Sequence, residues 1–235
     1  MNFKYLYFCI LQICFFSFGY AQKQYGLAML EKNMHKNNFK LDGGMTLVEI
    51  GTLIHPTVKN AIIIEPTSEK IDSIDIKLYH IKNNTLTTIY KKRMKYMGNY
   101  HYQFHDLNND GYKELIVSFM ANKSVDFYFI YDNSIKSFRQ INHTFKYNEL
   151  TSLESANYLY SYRSCGGADF YWNSYLVKIE NFKIKEYAKL YNNDTEILFI
   201  LKNKIIKKLP LNETLDKYSS KFEFINKFWQ NYVKN

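Results

Sequence analysis

Residues 106–114 read DLNNDGYKE, so oxygen-bearing side chains fall at the first, third and fifth positions as Asp106, Asn108 and Asp110. That spacing suits a hard cation such as Ca2+, which prefers several oxygen ligands and finds them where a tight loop turns its side chains inward. Gly111 can take the backbone angles such a turn requires. Tyr112 can lend its carbonyl oxygen, and Glu114 can return a carboxylate from the start of the next strand. Asp106, Asn108, Asp110, Tyr112 and Glu114 are therefore the expected ligands of a structural calcium ion. Asp106, Asp110 and Glu114 crowded on one short loop would repel each other without a cation. The alternative for the same residues is a polar hairpin held by Asx-turns with no metal.

The flanking residues decide the kind of loop. Tyr100, Tyr102 and Phe104 alternate with His101, Gln103 and His105, which predicts a strand entering the loop, and Leu115, Ile116 and Val117 predict a strand leaving it. A helix-loop-helix calcium motif needs a bidentate Glu at its twelfth position. Val117 stands there, and strands flank the loop, so that motif is excluded.

The segment resembles the DxDxDGxxD-type loop of FG-GAP and VCBS repeats, found in integrin α-subunit propellers and many exported bacterial proteins. Asn108 and Glu114 are conservative departures from that pattern. The resemblance implies a calcium ion that shapes a propeller hairpin, with an affinity suited to extracellular calcium, on the order of 10⁻⁴ to 10⁻³ M. Over residues 100–190 the chain more loosely resembles exported propeller-like bacterial proteins that include periplasmic lysozyme inhibitors acting as immunity proteins. That resemblance implies an inhibitory surface loop, for which the stretch from Ser164 to Tyr171 is the candidate. Net positive charge opposes electrostatic steering towards basic lysozymes.

The elements that must position the loop read as strands. From Met45 onward the apolar period is two, and β-branched and aromatic runs alternate with Asn-rich turns, the pattern of an antiparallel meander. Four hairpins are expected, over residues 74–92, 126–141, 174–190 and 196–211, with Asn83, Asn133, Asn181 and Asn203 at their turns because Asn tolerates positive φ. The first three turns are spaced like propeller blades and the fourth comes too soon. Residues 25–38 carry Leu27, Leu30 and Met34 at helical spacing. Leu215, Tyr218, Phe222, Ile225, Trp229 and Tyr232 predict one C-terminal amphipathic helix, with Asn212 capping its first turn. The expected fold is mainly β, an antiparallel propeller-like meander closed by that helix.

The first residues, 1–21, combine Lys4, an apolar run over 5–18 and the small-x-small Gly19-Tyr20-Ala21, which predicts a cleaved signal peptide. The apolar run is shorter than the ~20 residues a spanning helix needs. Ile13 before Cys14 departs from the small residue that lipid attachment requires. Removing 21 of 235 residues leaves 214, read as one domain over 22–235, with no second hydrophobic span. Of three cysteines only Cys165 remains, so the mature chain has no internal disulfide. The net charge of +9 becomes +8 when Lys4 leaves. Export argues against nucleic acid as the partner, and a protein or glycan of the cell envelope is expected instead.

Other residues offer weaker chemistry. Cys165 beside Gly166 and Gly167 could be a nucleophile with His101, His105 or His143 as base, the secreted-hydrolase alternative, but no family signature accompanies them and a free thiol in a turn is the preferred reading. His101 and His105 lie four apart on a strand and do not form a ready metal pair. No Gly-rich phosphate loop and no HExxH helix occurs, so calcium is the one cofactor expected and the domain reads as non-catalytic.

Overall fold

A computed structural model describes residues 26–34, 39–41, 44–67, 72–120, 124–141, 146–154, 157–165 and 171–234. The signal-peptide residues 1–21 lie outside them. The chain forms three antiparallel meanders. The first sheet orders β1 (Phe39–Leu41), β2 (Gly44–His55), β3 (Val58–Pro66), β4 (Ser73–Lys82) and β5 (Thr85–Lys95). The second orders β6 (Asn99–His105), β7 (Glu114–Met120), β8 (Ser124–Asp132) and β9 (Ser137–Gln140). The third runs through β10 (Thr151–Ser152), β11 (Leu159–Ser164), β12 (Tyr171–Glu180), β13 (Lys183–Asn193), β14 (Glu196–Leu201) and β15 (Lys204–Pro210). Helix α1 (Leu27–Met34) precedes the sheets, and α2 (Leu211–Leu215) and α3 (Lys221–Lys234) follow them. The expectation of a mainly β, propeller-like antiparallel meander with a C-terminal helix holds.

Successive side chains on a strand point to opposite faces, and β7 shows what that alternation builds. Leu115, Val117 and Phe119 join Ile62, Ile64, Ile74 and Ile76 between the first and second sheets. Ile116 joins Tyr128, Leu159 and Val177 between the second and third. The central strands β7 and β8 of the second sheet are thus buried on both faces, which explains the near-continuous apolar run of β7. At the ends of the stack, Leu30 of α1 covers Ala61 and Ile63 of the first sheet, and Phe224, Ile225 and Trp229 of α3 cover Leu190, Ile197 and Phe199 of the third. Among the described residues no helix is long and apolar enough to cross a membrane.

The turn chemistry follows the asparagines at three of four hairpins. Asn83 and Asn84 (φ 50° and 58°), Asn181 and Phe182 (50° and 59°), and Lys202 and Asn203 (48° and 62°) take the paired positive φ of tight β-turns. At the remaining hairpin the left-handed residue is Lys136 (φ 51°), not Asn133. There the Asp132 carboxylate holds the turn by accepting the Ser134 N–H (2.9 Å) and Oγ–H, and pairs with Arg139 at 2.7 Å.

The C-terminal helix begins later than expected. Asn212 lies inside the short α2, whose N-cap is Pro210 with no side-chain cap bond. The long helix starts after Ser220, whose Oγ accepts the Glu223 N–H at 3.2 Å, while Glu223 Oε2 accepts the Ser219 N–H at 2.8 Å. This variant of a capping box satisfies amides that the first turn would leave bare. Phe222, expected in the buried stripe, is 47% exposed and lies against the edge of Tyr162. Trp229 is fully buried and donates its Nε1–H to Ser174 Oγ at 2.8 Å.

Trp229→Ala removes that contact and leaves a cavity, so it is expected to cost about 3–5 kcal/mol in urea unfolding; a loss under about 1 kcal/mol would mean the helix does not hold the third sheet. On the first sheet, the Arg93 guanidinium beside Asp75 (2.8 Å) holds that carboxyl below its ordinary value, against the opposing effect of burial. The stabilisation is present above the ordinary Asp range and is lost as pH falls through the lowered value. Asp75→Asn should therefore flatten the loss of stability between about pH 5 and pH 3 in pH-dependent unfolding.

Candidate metal centre

The loop 106–114 joins β6 to β7 and bends on two left-handed residues, Asn109 (φ 58°) and Gly111 (φ 86°). A Cβ built on Gly111 would meet nothing within 4 Å, so glycine is required there by its backbone angle and not by space. The side chains at the first and third positions are drawn to a common point, because the Asp110 N–H donates to both Asp106 Oδ1 (3.2 Å) and Asn108 Oδ1 (3.1 Å). Asp106 Oδ2 accepts the Gly111 N–H at 3.0 Å, and Asp110 Oδ1 accepts the Tyr112 N–H at 2.8 Å. Asn108 Nδ2 donates to Asp110 Oδ2 at 3.0 Å. Each of these acceptor oxygens carries a second lone pair, so the turn bonds do not exhaust them.

Glu114 closes the loop from below. It is fully buried as the first residue of β7, and its Oε2 accepts the Leu107 N–H at 2.6 Å. Its Oε1 is also buried and has no hydrogen-bond partner. Burial pushes this carboxyl up to about 8, against the pull of the Leu107 N–H, and the charges of Asp110 and Asp106 add to the rise. A buried carboxylate oxygen without a partner is costly. A cation that reached it together with Asp106, Asn108 and Asp110 would relieve it, and every one of these side chains offers the oxygen a hard cation takes. No group of three or more His, Cys, Asp and Glu side chains is arrayed for a metal among the described residues. The three loop carboxylates, Asp106, Asp110 and Glu114, are thus not gathered on one point in this structure, and a cation would have to draw them together.

The loop also ties two sheets together, which its sequence does not announce. The Tyr112 ring, expected to matter for its backbone carbonyl, stacks on Tyr131 of β8 (5.1 Å) and lies against His55 of β2 (4.9 Å). The Lys113 N–H donates to the Ile54 carbonyl at 2.8 Å. The first and second sheets are joined further by Tyr102 Oη–H to Glu49 (2.8 Å) and Ser137 Oγ–H to the Ile89 carbonyl (2.7 Å). His101 and His105 sit exposed on β6 and do not join the loop. Cys165 is exposed with the Asn173 amide at its sulfur (2.8 Å). Residues 166–170 of the candidate inhibitory stretch, and His143, lie outside the described residues.

No family model matches the chain, and no curated protein matches it. Among solved structures it is similar to a Xanthomonas type IV secretion system related protein, at 13% identity and a TM-score of 0.45, over 73% of this chain and 96% of that one. At that distance the likeness bears on no functional question.

Tyr112→Ala should lower stability by about 1–3 kcal/mol, measured by urea unfolding, because it empties the contact between His55 and Tyr131. A neutral result would show that the loop does not brace the two sheets.

Proposed function

We propose that this chain is an exported, non-catalytic, calcium-stabilised domain that serves as an interaction module in the cell envelope, with a protein or glycan as its partner. The buried, unpartnered Oε1 of Glu114, at the end of a loop in which Asp106 and Asn108 share the Asp110 N–H, carries the calcium part of this reading. The ion would hold the β6–β7 hairpin in shape and, through Tyr112, keep the first two sheets in register. The resemblance of the loop to FG-GAP and VCBS repeats supports the same reading, as does the export signal read in residues 1–21. Cys165 faces an amide, and the histidines of β6 stand on the exposed face of an edge strand, an arrangement that supports binding in place of hydrolysis.

Calcium at 10 to 100 times its dissociation constant is expected to add about 1–3 kcal/mol, read as a rise in Tm of about 3–10 °C over chelator-treated protein. Asp110→Ala should abolish that rise. Identical melts of the wild type with calcium and with chelator, or a full rise retained by the variant, would refute the assignment. Expressed with its own N-terminus, the chain should be recovered outside the cytoplasm with an intact mass that begins at Gln22; a cytoplasmic product retaining Met1 would overturn export.

A further inference from the structure

One face of the third sheet changes character along its strands. Nearest the second sheet it is apolar, with Leu159 and Val177 packed against Ile116 and Tyr128. Further along it becomes polar, with Ser161, Tyr175 and Asn173 buried and Arg163, Lys189 and Tyr191 half-buried around them. Two cross-strand rows carry the change, Ser161–Tyr175–Lys189 and Arg163–Asn173–Tyr191. Exposed Tyr171 (41%) follows on the same face of β12, two residues before Asn173.

Three features of these rows point to a ligand. Lys189 Nζ lies over Tyr175 (5.5 Å) and Tyr191 (5.0 Å), and Lys146 Nζ also lies over Tyr175, at 4.7 Å. Lys146 is paired with Glu186, whereas neither Lys189 nor Arg163 takes part in an ion pair among the described residues. Asn173 Oδ1 and Ser161 Oγ are buried with no hydrogen-bond partner, although Asn173 Nδ2 is used on Cys165. Burial and the neighbouring Lys146 charge lower the Lys189 ammonium from its ordinary value, only partly countered by Glu186, so an added anion would be welcome there.

We propose that this face, between Arg163 and Lys189, binds the carboxylate of an acidic glycan. A guanidinium fork and an ammonium suit a carboxylate. Asn173 Oδ1 and Ser161 Oγ suit sugar hydroxyls, and the rings of Tyr191 and Tyr171 offer flat amphipathic surfaces beside them. An acidic polypeptide would meet the same cations, but its donors for the two buried polar atoms are main-chain amides fixed along the backbone, whereas a sugar ring carries several hydroxyls that both donate and accept. The excess positive charge of the chain favours approach of such a polymer.

This inference rests on the reading of the domain as a binding module, and deepens it. The test is calorimetric titration of the calcium-loaded mature chain with a galacturonate tetrasaccharide and with its carboxyl-reduced counterpart. Saturable binding is expected for the acid form, with the reduced form about tenfold weaker or worse. Arg163→Gln and Lys189→Gln should each weaken it by about tenfold, without altering the melting curve, while Lys207→Gln with Lys208→Gln on β15 should change it by less than about twofold. Equal binding of both sugars, equal loss from the β15 variant, tighter binding of a glutamate peptide, or no binding at all would overturn the site. Failure of this titration in a chain that keeps its calcium-dependent rise in Tm leaves the calcium-stabilised domain standing; loss of that rise would count against the domain reading instead.

Discussion

The buried carboxylate of Glu114 constrains everything around it. One oxygen holds the Leu107 N–H and so fixes where the loop leaves β6; the other faces inward with no partner. Such a group is unfavourable as a bare anion in a site that also contains Asp106 and Asp110, whose charges raise its affinity for a proton. Two partners can relieve it, a proton or a cation. A cation would in addition be offered the spare lone pairs of the oxygens at positions 106, 108 and 110.

The position of the loop explains why that matters beyond nine residues. It opens the second sheet, the one sheet with another sheet packed on each face. The Tyr112 ring reaches from the loop to His55 and Tyr131, and Lys113 bonds to Ile54, so a change in loop conformation is felt at the boundary with the first sheet. Further out, the same layered arrangement ends in helices: Leu30 seals one outer sheet face and Trp229 the other. With Cys165 free, the described residues hold together by this packing and not by a disulfide.

Much of this was legible in the residues. The alternation of β6, the continuous apolar run of β7 and the asparagines at three turns follow from local chemistry, and the structure places them accordingly. What was not legible depends on register and competition. Asn133 yielded its turn to Lys136 because Asp132 organised the hairpin around Ser134 and Arg139. Asn212 yielded the helix start because Ser219, Ser220 and Glu223 form a stronger cap, a signal present in the sequence but read at the wrong place. The second role of Tyr112 and the row Arg163–Asn173–Tyr191 come from strands distant in sequence, and no spacing rule brings them together.

The central claim, that Glu114 and the loop above it form a calcium site, is tested most directly by a crystal structure of the chain grown in calcium with anomalous data. The account predicts one ion at about 2.3–2.6 Å from oxygens of Asp106, Asn108, Asp110 and Glu114, with Glu114 Oε1 no longer without a partner. A loop free of an ion at saturating calcium, with that oxygen still unpartnered or bonded only to water, would contradict it.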